Sequence, residues 1–398
     1  MLAATVRVTR DLDLAEECVQ DAYAQALTTW ATTGAPTNAG AWLTTVARRR
    51  ALDLLRRDTL WRRAIPLLVE EESAPSAEEH LGVLDAERTV EIPDDRLRLI
   101  CTCCHPALSR EAQVALTLRL VCGLSTAEVA RAFLVSDATM AARITRAKKK
   151  ISLARIPYRV PALAELPQRL TAVAEVVHLV FTMGHTAAAG TELMRTDLID
   201  RSLDLARMLH TLRPENSEID GLLALLLLTD SRRHARVDAE GELVLLANQD
   251  RSAWDSEAIA EGTELVRSAL RRDGSGRYAL QAAIAAVHAE ASSFDETNWQ
   301  EIVGLYDLLQ RQWPSPVVAL NRAVAVGFAS GAQAGLDAVE ELATEPRLAS
   351  YPYLASARAD FLRQLGRTDE AKTAYTEAIL LTDNDVERAF LSKRLEQC

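Results

Sequence analysis

Arg143, Arg146, Lys148, Lys149 and Lys150 put five cations into eight residues of "VSDATMAARITRAKKKI" (135–151), a density suited to contact with a polyanion. A second basic set, Arg48, Arg49, Arg50, Arg56 and Arg57, lies in "AWLTTVARRRALDLLRR" (41–57). A different chemistry is offered by Cys101, Cys103, Cys104 and His105 in "CTCCHP". Adjacent Cys103, Cys104 and His105 cannot readily face one tetrahedral centre, and no second Cys/His pair follows at zinc-finger distance. They read as buried packing thiols with no metal, zinc or redox sensing being the minor alternative. Cys18 and Cys122 read as core residues and Cys398 as a free terminal thiol, all reduced in a cytoplasmic protein. His178 and His185 in "HLVFTMGH" could line a small pocket between helices, but a histidine in an apolar helix reads first as a hydrogen-bonded core residue. The chain carries no Gly-rich phosphate loop, nucleophile elbow or paired-His motif, so neither an enzyme nor a cofactor is expected.

The cations need elements to position them. Met140, Ile144, Ala147 and Ile151 recur at helical spacing, which predicts a helix with one buried stripe beside a polar one of Thr139, Arg143, Arg146 and Lys150. Upstream, "GLSTAEVARAFL" holds Ser125-x-x-Glu128, a capping-box pattern, followed by Val129, Ala130 and Phe133 as an apolar stripe. Residues 135–137 separate the two helices, with Ser136 or Asp137 as the second cap. This is the shape of a helix-turn-helix, whose small residues Ala138, Ala141 and Ala142 would let the second helix approach base edges. The bland reading is a solvated helix end whose lysines complement the macrodipole.

Nearer the start, "DLAEECVQDAYAQALTTW" predicts a helix with Leu14, Cys18, Ala22 and Ala26 on one stripe and Glu16, Glu17, Gln20 and Asp21 displayed elsewhere. After a loop with Gly34, Pro36, Asn38 and Gly40, a basic helix is expected to turn Trp42, Val46, Ala47, Leu52 and Leu55 inward. The chain's net charge of -11 argues against nucleic acid only as an average, because charge is segregated. Residues 64–93 form an acidic, Pro-containing linker, expected to be flexible, between the two basic modules. The longest apolar run, "GLLALLLL" at 221–228, is too short to span a bilayer, and Arg7, Arg10 and Asp11 interrupt any signal peptide. A cytoplasmic protein without membrane contact is expected.

"DLAEECVQDAY" with "AWLTTVARRRALDLLRR" resembles region 2 of the extracytoplasmic-function sigma factors of bacterial RNA polymerase, and "GLSTAEVARAFLVSDATMAARITRAKKKI" resembles their region 4. "TCCHPALSREAQVALTLRL" and the long C-terminal part resemble the subgroup with a tetratricopeptide-like extension in place of a separate anti-sigma partner. The resemblance implies that Glu16, Glu17, Gln20 and Asp21 dock on the β′ clamp helices of core RNA polymerase, with the β flap as a further contact. It places Trp42, Thr45, Arg48, Arg49, Asp53, Arg56 and Arg57 at the melted minus-10 element, with the loop from Gly34 to Gly40 capturing an extruded base. Thr139, Ala142 and Arg143 would face the minus-35 major groove, with Arg146, Lys148 and Lys149 on phosphate or base. Two departures stand out: the family's helix before "RVTRDLDL" is usually longer, so the chain starts late or Met1 is misassigned, and Arg49 stands where the family commonly has Asn.

The C-terminal half reads as helical throughout. Ile302, Gly335 and Ala371 are each followed four residues later by Tyr306, Val339 and Tyr375, at spacings of 335 − 302 = 33 and 371 − 335 = 36, close to the roughly 34 of tetratricopeptide units. Stacked helix pairs of this kind form a groove for a peptide, a protein or an intramolecular segment. The expected fold is all-α: region 2 over 1–63, linker over 64–93, region 4 over 94–157, a helical extension over 158–272 and tetratricopeptide-like repeats over 273–398. The expected function is promoter-specific transcription initiation with core RNA polymerase and promoter DNA as partners, controlled by the extension. The rival is a helix-turn-helix regulator with a ligand- or protein-sensing helical domain.

Overall fold

Short polar side chains start the helices that carry the charged residues. Asp11 accepts from the Leu14 amide at 2.9 Å and Asn38 from the Ala41 amide at 2.9 Å. Ser125 and Glu128 form a reciprocal capping box, and Ser136 accepts from the Thr139 amide at 3.3 Å. The computed structural model describes residues 1–68, 95–133, 135–159, 161, 165–273 and 276–398, with the backbone alone over 57–68. The fold is all-α and divides into two compact units, Met1–Val176 and Val177–Cys398. Among the described residues, no helix is long and apolar enough to cross a membrane.

The first unit contains α1 (Leu2–Thr9), α2 (Leu12–Thr33), α3 (Ala39–Leu68), α4 (Asp95–Cys103), α5 (Arg110–Leu116), α6 (Thr126–Ala132) and α7 (Asp137–Leu153), and the start of α8 (Leu166–His185). Arg10, in the left-handed region at φ 52°, turns the chain between α1 and α2. Leu12, Ala15, Cys18, Ala22 and Ala26 bury one stripe of α2, and the small side chains of the last four let neighbouring helices approach closely. The inward stripe of α3 is Leu43, Ala47 and Ala51. Leu52, expected inside, is 42% exposed, because helical spacing from Ala47 runs to Ala51 and turns its neighbour outward. In α7, Met140, Ile144, Ala147 and Ile151 are buried as expected. Tyr158 Oη reaches both the Ala3 carbonyl at 2.8 Å and the Asp95 carbonyl at 3.0 Å, tying α1 and α4 to the segment after α7. Of the expected acidic linker, 64–68 continue α3 and 69–93 lie outside the described residues.

The second unit takes the rest of α8 and continues through α9 (Thr196–Leu212), α10 (Ser217–Asp230), α11 (Ser256–Arg272), α12 (Arg277–Glu290), α13 (Trp299–Gln312), α14 (Pro316–Ser330), α15 (Ala332–Glu340), α16 (Pro352–Gln364), α17 (Thr368–Leu381) and α18 (Asp385–Glu396). Successive helices pack on one another, and α10, which carries the run of leucines, is buried on nearly every side. The residues that recur in sequence fall on alternate helices, Ile302 and Tyr306 on α13, Gly335 and Val339 on α15, Ala371 and Tyr375 on α17. Gly335 is small for a reason: a Cβ there would lie 2.6 Å from Gly327 Cα and from the Phe361 ring. The unit's first and last segments are joined. Ala189 and Gly190 pair in parallel with Asp383 and Asn384, and buried Asn384 donates to the carbonyls of Ala187 (3.0 Å) and Glu192 (2.9 Å). The same side chain caps α18 by accepting from the amides of Val386 and Glu387.

Candidate nucleic-acid interface

Helix α7 presents a clean polar face. Thr139, Ala142, Arg146 and Lys149 are exposed and recur at helical spacing, and Arg146 Nε donates back to the Ala142 carbonyl at 3.2 Å. Arg143, half-buried beside this face, stands 5.5 Å from the Phe133 ring and 3.4 Å from Glu111. The Val135 amide, which donates to the Ala130 carbonyl at 3.1 Å, the Ser136 cap and the capped α6 hold this face in place, which is helix-turn-helix geometry. Lys148 does not join it. Nine residues beyond Thr139, at 100° per residue, it lies half a turn round the helix and only 12% exposed.

Lys148 meets α2 instead. Its ammonium donates to Asp13 Oδ1 at 2.8 Å and to Glu16 Oε2, and Glu16 Oε1 also accepts from Arg119 at 2.9 Å. Burial opposes the charge on Lys148, but the two carboxylates outweigh it and hold the ammonium's pKa above its ordinary value. Glu16, at 15% side-chain exposure, therefore belongs to an ion cluster between α2 and α7 rather than to the open acidic surface. Asp21 is likewise engaged, at 2.8 Å from Arg50 Nε. Of the four acidic-helix residues singled out in the sequence, Glu17 and Gln20 remain exposed. Asp13 and Arg119 were not legible as members of the cluster, since their partners lie far away along the chain.

On α3, Arg48 and Arg49 are exposed and have no hydrogen bond or ion pair among the described residues. Thr45, one turn before, is exposed and donates to the Ala41 carbonyl at 2.9 Å. Trp42 is half-buried, its ring 5.3 Å from that of Trp30, so it braces the start of α3; the loop spans 34–38, and Gly40, expected in it, already belongs to the helix. Asp53 and Arg56 are exposed and 4.0 Å apart. The side chain of Arg57 lies outside the described residues. One unit thus carries two separately aimed cationic helices, one opening on an exposed loop and one on a helix-turn-helix.

Comparison with known proteins matches residues 2–60 to Sigma-70 region 2 and residues 99–151 to Sigma-70, region 4. The chain belongs to the sigma-70 family. It is a sigma factor for promoter-specific transcription initiation, and the family's members are non-enzymatic factors that bind core RNA polymerase and promoter DNA. Residues 169–270 of this sigma factor match a family of unknown function, DUF6596. An uncharacterized protein of Rhizobium meliloti (strain 1021) is 43% identical over 395 residues, spanning 99% of this chain and 92% of that protein.

Two further features of the sigma factor bear on its surfaces. Tyr23 and Leu27 on α2 are 52% and 77% exposed, next to Gln20, so the open part of the acidic helix is also apolar. Their i, i+4 spacing on an otherwise polar face was readable in the sequence as an apolar pair off the buried stripe. Cys101, Cys103 and Cys104 are buried, and Cys104 Sγ stands 3.7 Å from Thr117 Oγ1. Burial pushes the Cys101 thiol up to about 11 and that of Cys104 up to about 12, so both stay protonated at neutral pH. His105 Nδ1 accepts from the Ala107 amide at 3.1 Å, and no group of three or more His, Cys, Asp and Glu side chains is placed to hold a metal among the described residues.

Proposed function

We propose that this sigma factor is of the extracytoplasmic-function type, works in the cytoplasm, and uses the exposed face of α3 on the melted minus-10 element and the exposed face of α7 on the minus-35 major groove. Thr45, Arg48 and Arg49, with Asp53, Arg56 and Arg57 farther along α3, track the single strand. Trp42 supports the loop that takes the extruded base. Thr139, Ala142, Arg143, Arg146 and Lys149 read or anchor the duplex. Glu17 and Gln20, with Tyr23 and Leu27, dock on the polymerase clamp. Glu16 and Asp21 reach it only after leaving Lys148, Arg119 and Arg50, so the paired state is a resting one. The tetratricopeptide-like part controls the switch, as an intramolecular partner or as a groove for another protein.

The observation that carries this reading is the exposed pair Arg48 and Arg49, without an ion pair among the described residues, on the region 2 helix of a chain that also holds a region 4 helix-turn-helix. The exposed Tyr23 and Leu27 favour it over a free-standing DNA-binding regulator, which has no need of an apolar stripe on that helix. The test is multi-round transcription by purified core polymerase on a native upstream fragment, with the full chain and with a chain ending at Pro161. Specific initiation dependent on the protein is expected, and the difference between the two chains gives the sign of control. No transcript from either, together with tight duplex binding by the protein alone, would replace this reading with that of a helix-turn-helix regulator.

A further inference from the structure

A cavity of about 410 Å³ opens within the second unit among α8, α10, α12, α13, α14 and the segment after α10, a size within the usual range for small-molecule sites. Most of the residues lining it are apolar or aromatic, with Trp254 and Trp313 among them, and no Asp or Glu lines it among the described residues. One formal charge faces in, that of Arg232. Its guanidinium has no hydrogen bond or ion pair among the described residues. The neighbouring arginines differ: Arg233 is held by Asp230 and Asp200, Arg236 by the His185 carbonyl and Thr186, and Arg251 by the carbonyls of His288 and Ala291.

A half-buried guanidinium among largely apolar neighbours, with no counter-charge among the described residues, is left with water as its partner and would be stabilised by an anion. The rings of His288 and Trp254 also line it, with His288 Nδ1 and Trp254 Nε1 turned into the protein, buried and without a partner among the described residues. Burial, aided by Arg232 and Arg251, holds the His288 imidazole down to about 4, so it meets a ligand neutral. The recess therefore offers one cation and a neutral imidazole ring, with Thr229, Gln281 and Asn321 as polar side chains among walls that are otherwise apolar or aromatic. We propose that this cavity binds a small organic carboxylate with an apolar or aromatic body, its carboxylate paired with Arg232 and its body against Trp254 and Trp313. A bare inorganic anion would satisfy the arginine but leave the apolar walls unused. The proposal concerns the second unit alone and stands or falls independently of the promoter reading.

The experiment measures binding to the full chain by tryptophan fluorescence and thermal shift. The probes are octanoate and 4-phenylbutyrate, their alcohols, their amines and inorganic phosphate. At least one carboxylate is expected to bind about tenfold or more tightly than its alcohol, with the amine weakest, as a charge-assisted contact implies. Arg232→Gln should bring that carboxylate to the level of its alcohol while leaving the alcohol within about twofold, and Arg232→Lys should keep part of the preference. Circular dichroism of both variants checks that they fold. Four results overturn the proposal: equal affinity for carboxylate and alcohol, a preference untouched by Arg232→Gln, phosphate binding as tightly as the carboxylates, or no saturation by either carboxylate below about 10 mM.

Discussion

Lys148 and Arg232 are both cations drawn away from water, in different units, and their surroundings treat them oppositely. Lys148 has two resident carboxylates, Asp13 and Glu16, which keep its charge in place against burial. Arg232 has none among the described residues, and its pKa is pushed below its ordinary value, by burial first and by Arg251 second. A cation with its counter-charge already present is a fastening between helices; one without is an open valence. A third class, Arg48 and Arg49, is exposed to water without a partner among the described residues, where the charge costs little.

The largest effect expected from this contrast is at the exposed pair. Arg48→Ala with Arg49→Ala should reduce transcript in the reconstituted assay by roughly a hundredfold with the fold unchanged, given about 1–3 kcal/mol per nucleic-acid contact. Transcript at the wild-type level would remove α3 from the promoter. Next, Lys148→Met should lower unfolding stability by about 2 kcal/mol in denaturant titration, by leaving Glu16 with Arg119 alone. It should at the same time strengthen association with core polymerase by freeing the acidic helix. A fall in duplex affinity matching that of Arg146→Ala would put Lys148 on DNA instead.

Smaller effects come from the cavity side. His178 and His288 line the cavity, and burial, with Arg277 near the first and Arg232 and Arg251 near the second, holds each at about 4. Unfolded, each titrates near 6.5, so below that pH the unfolded chain takes up protons the folded chain refuses. Stability is thus full above about pH 7 and falls as pH drops towards 4, by about 1.4 kcal/mol per histidine at pH 5.5. His178→Gln should flatten the melting curve's pH dependence by that share, and no change would mean the ring is hydrated. Smallest, Arg232→Met should raise stability by about 1 kcal/mol, the opposite sign to Lys148→Met, since it removes a charge with no partner. A loss of stability would show that Arg232 has a resident counter-charge after all.

Local features were legible in sequence and distant ones were not. The capping box at Ser125, the cap at Ser136 and the buried stripe from Met140 to Ile151 follow from spacing over a few residues. The α3 stripe was misjudged by one position at Leu52, where apolarity competed with periodicity and periodicity prevailed. Lys148 is instructive because the arithmetic of helix rotation was available and already separates it from Thr139. What no spacing could show is Glu16 as its partner, 132 residues away. Likewise the cavity draws Arg232, Trp254 and His288 from separate segments, and only the folded chain reveals that no carboxylate comes with them.

The bridge at Asn384 ties the last segment of the second unit to its first. In an open array of helix pairs, members can be gained or lost over evolution, because each touches only its neighbours. Here the last segment is hydrogen-bonded to the first, so a single added or missing pair would leave the Asn384 amide out of reach of Ala187 and Glu192. The number of helices is thereby locked, and the unit should melt as one body rather than fray from an end.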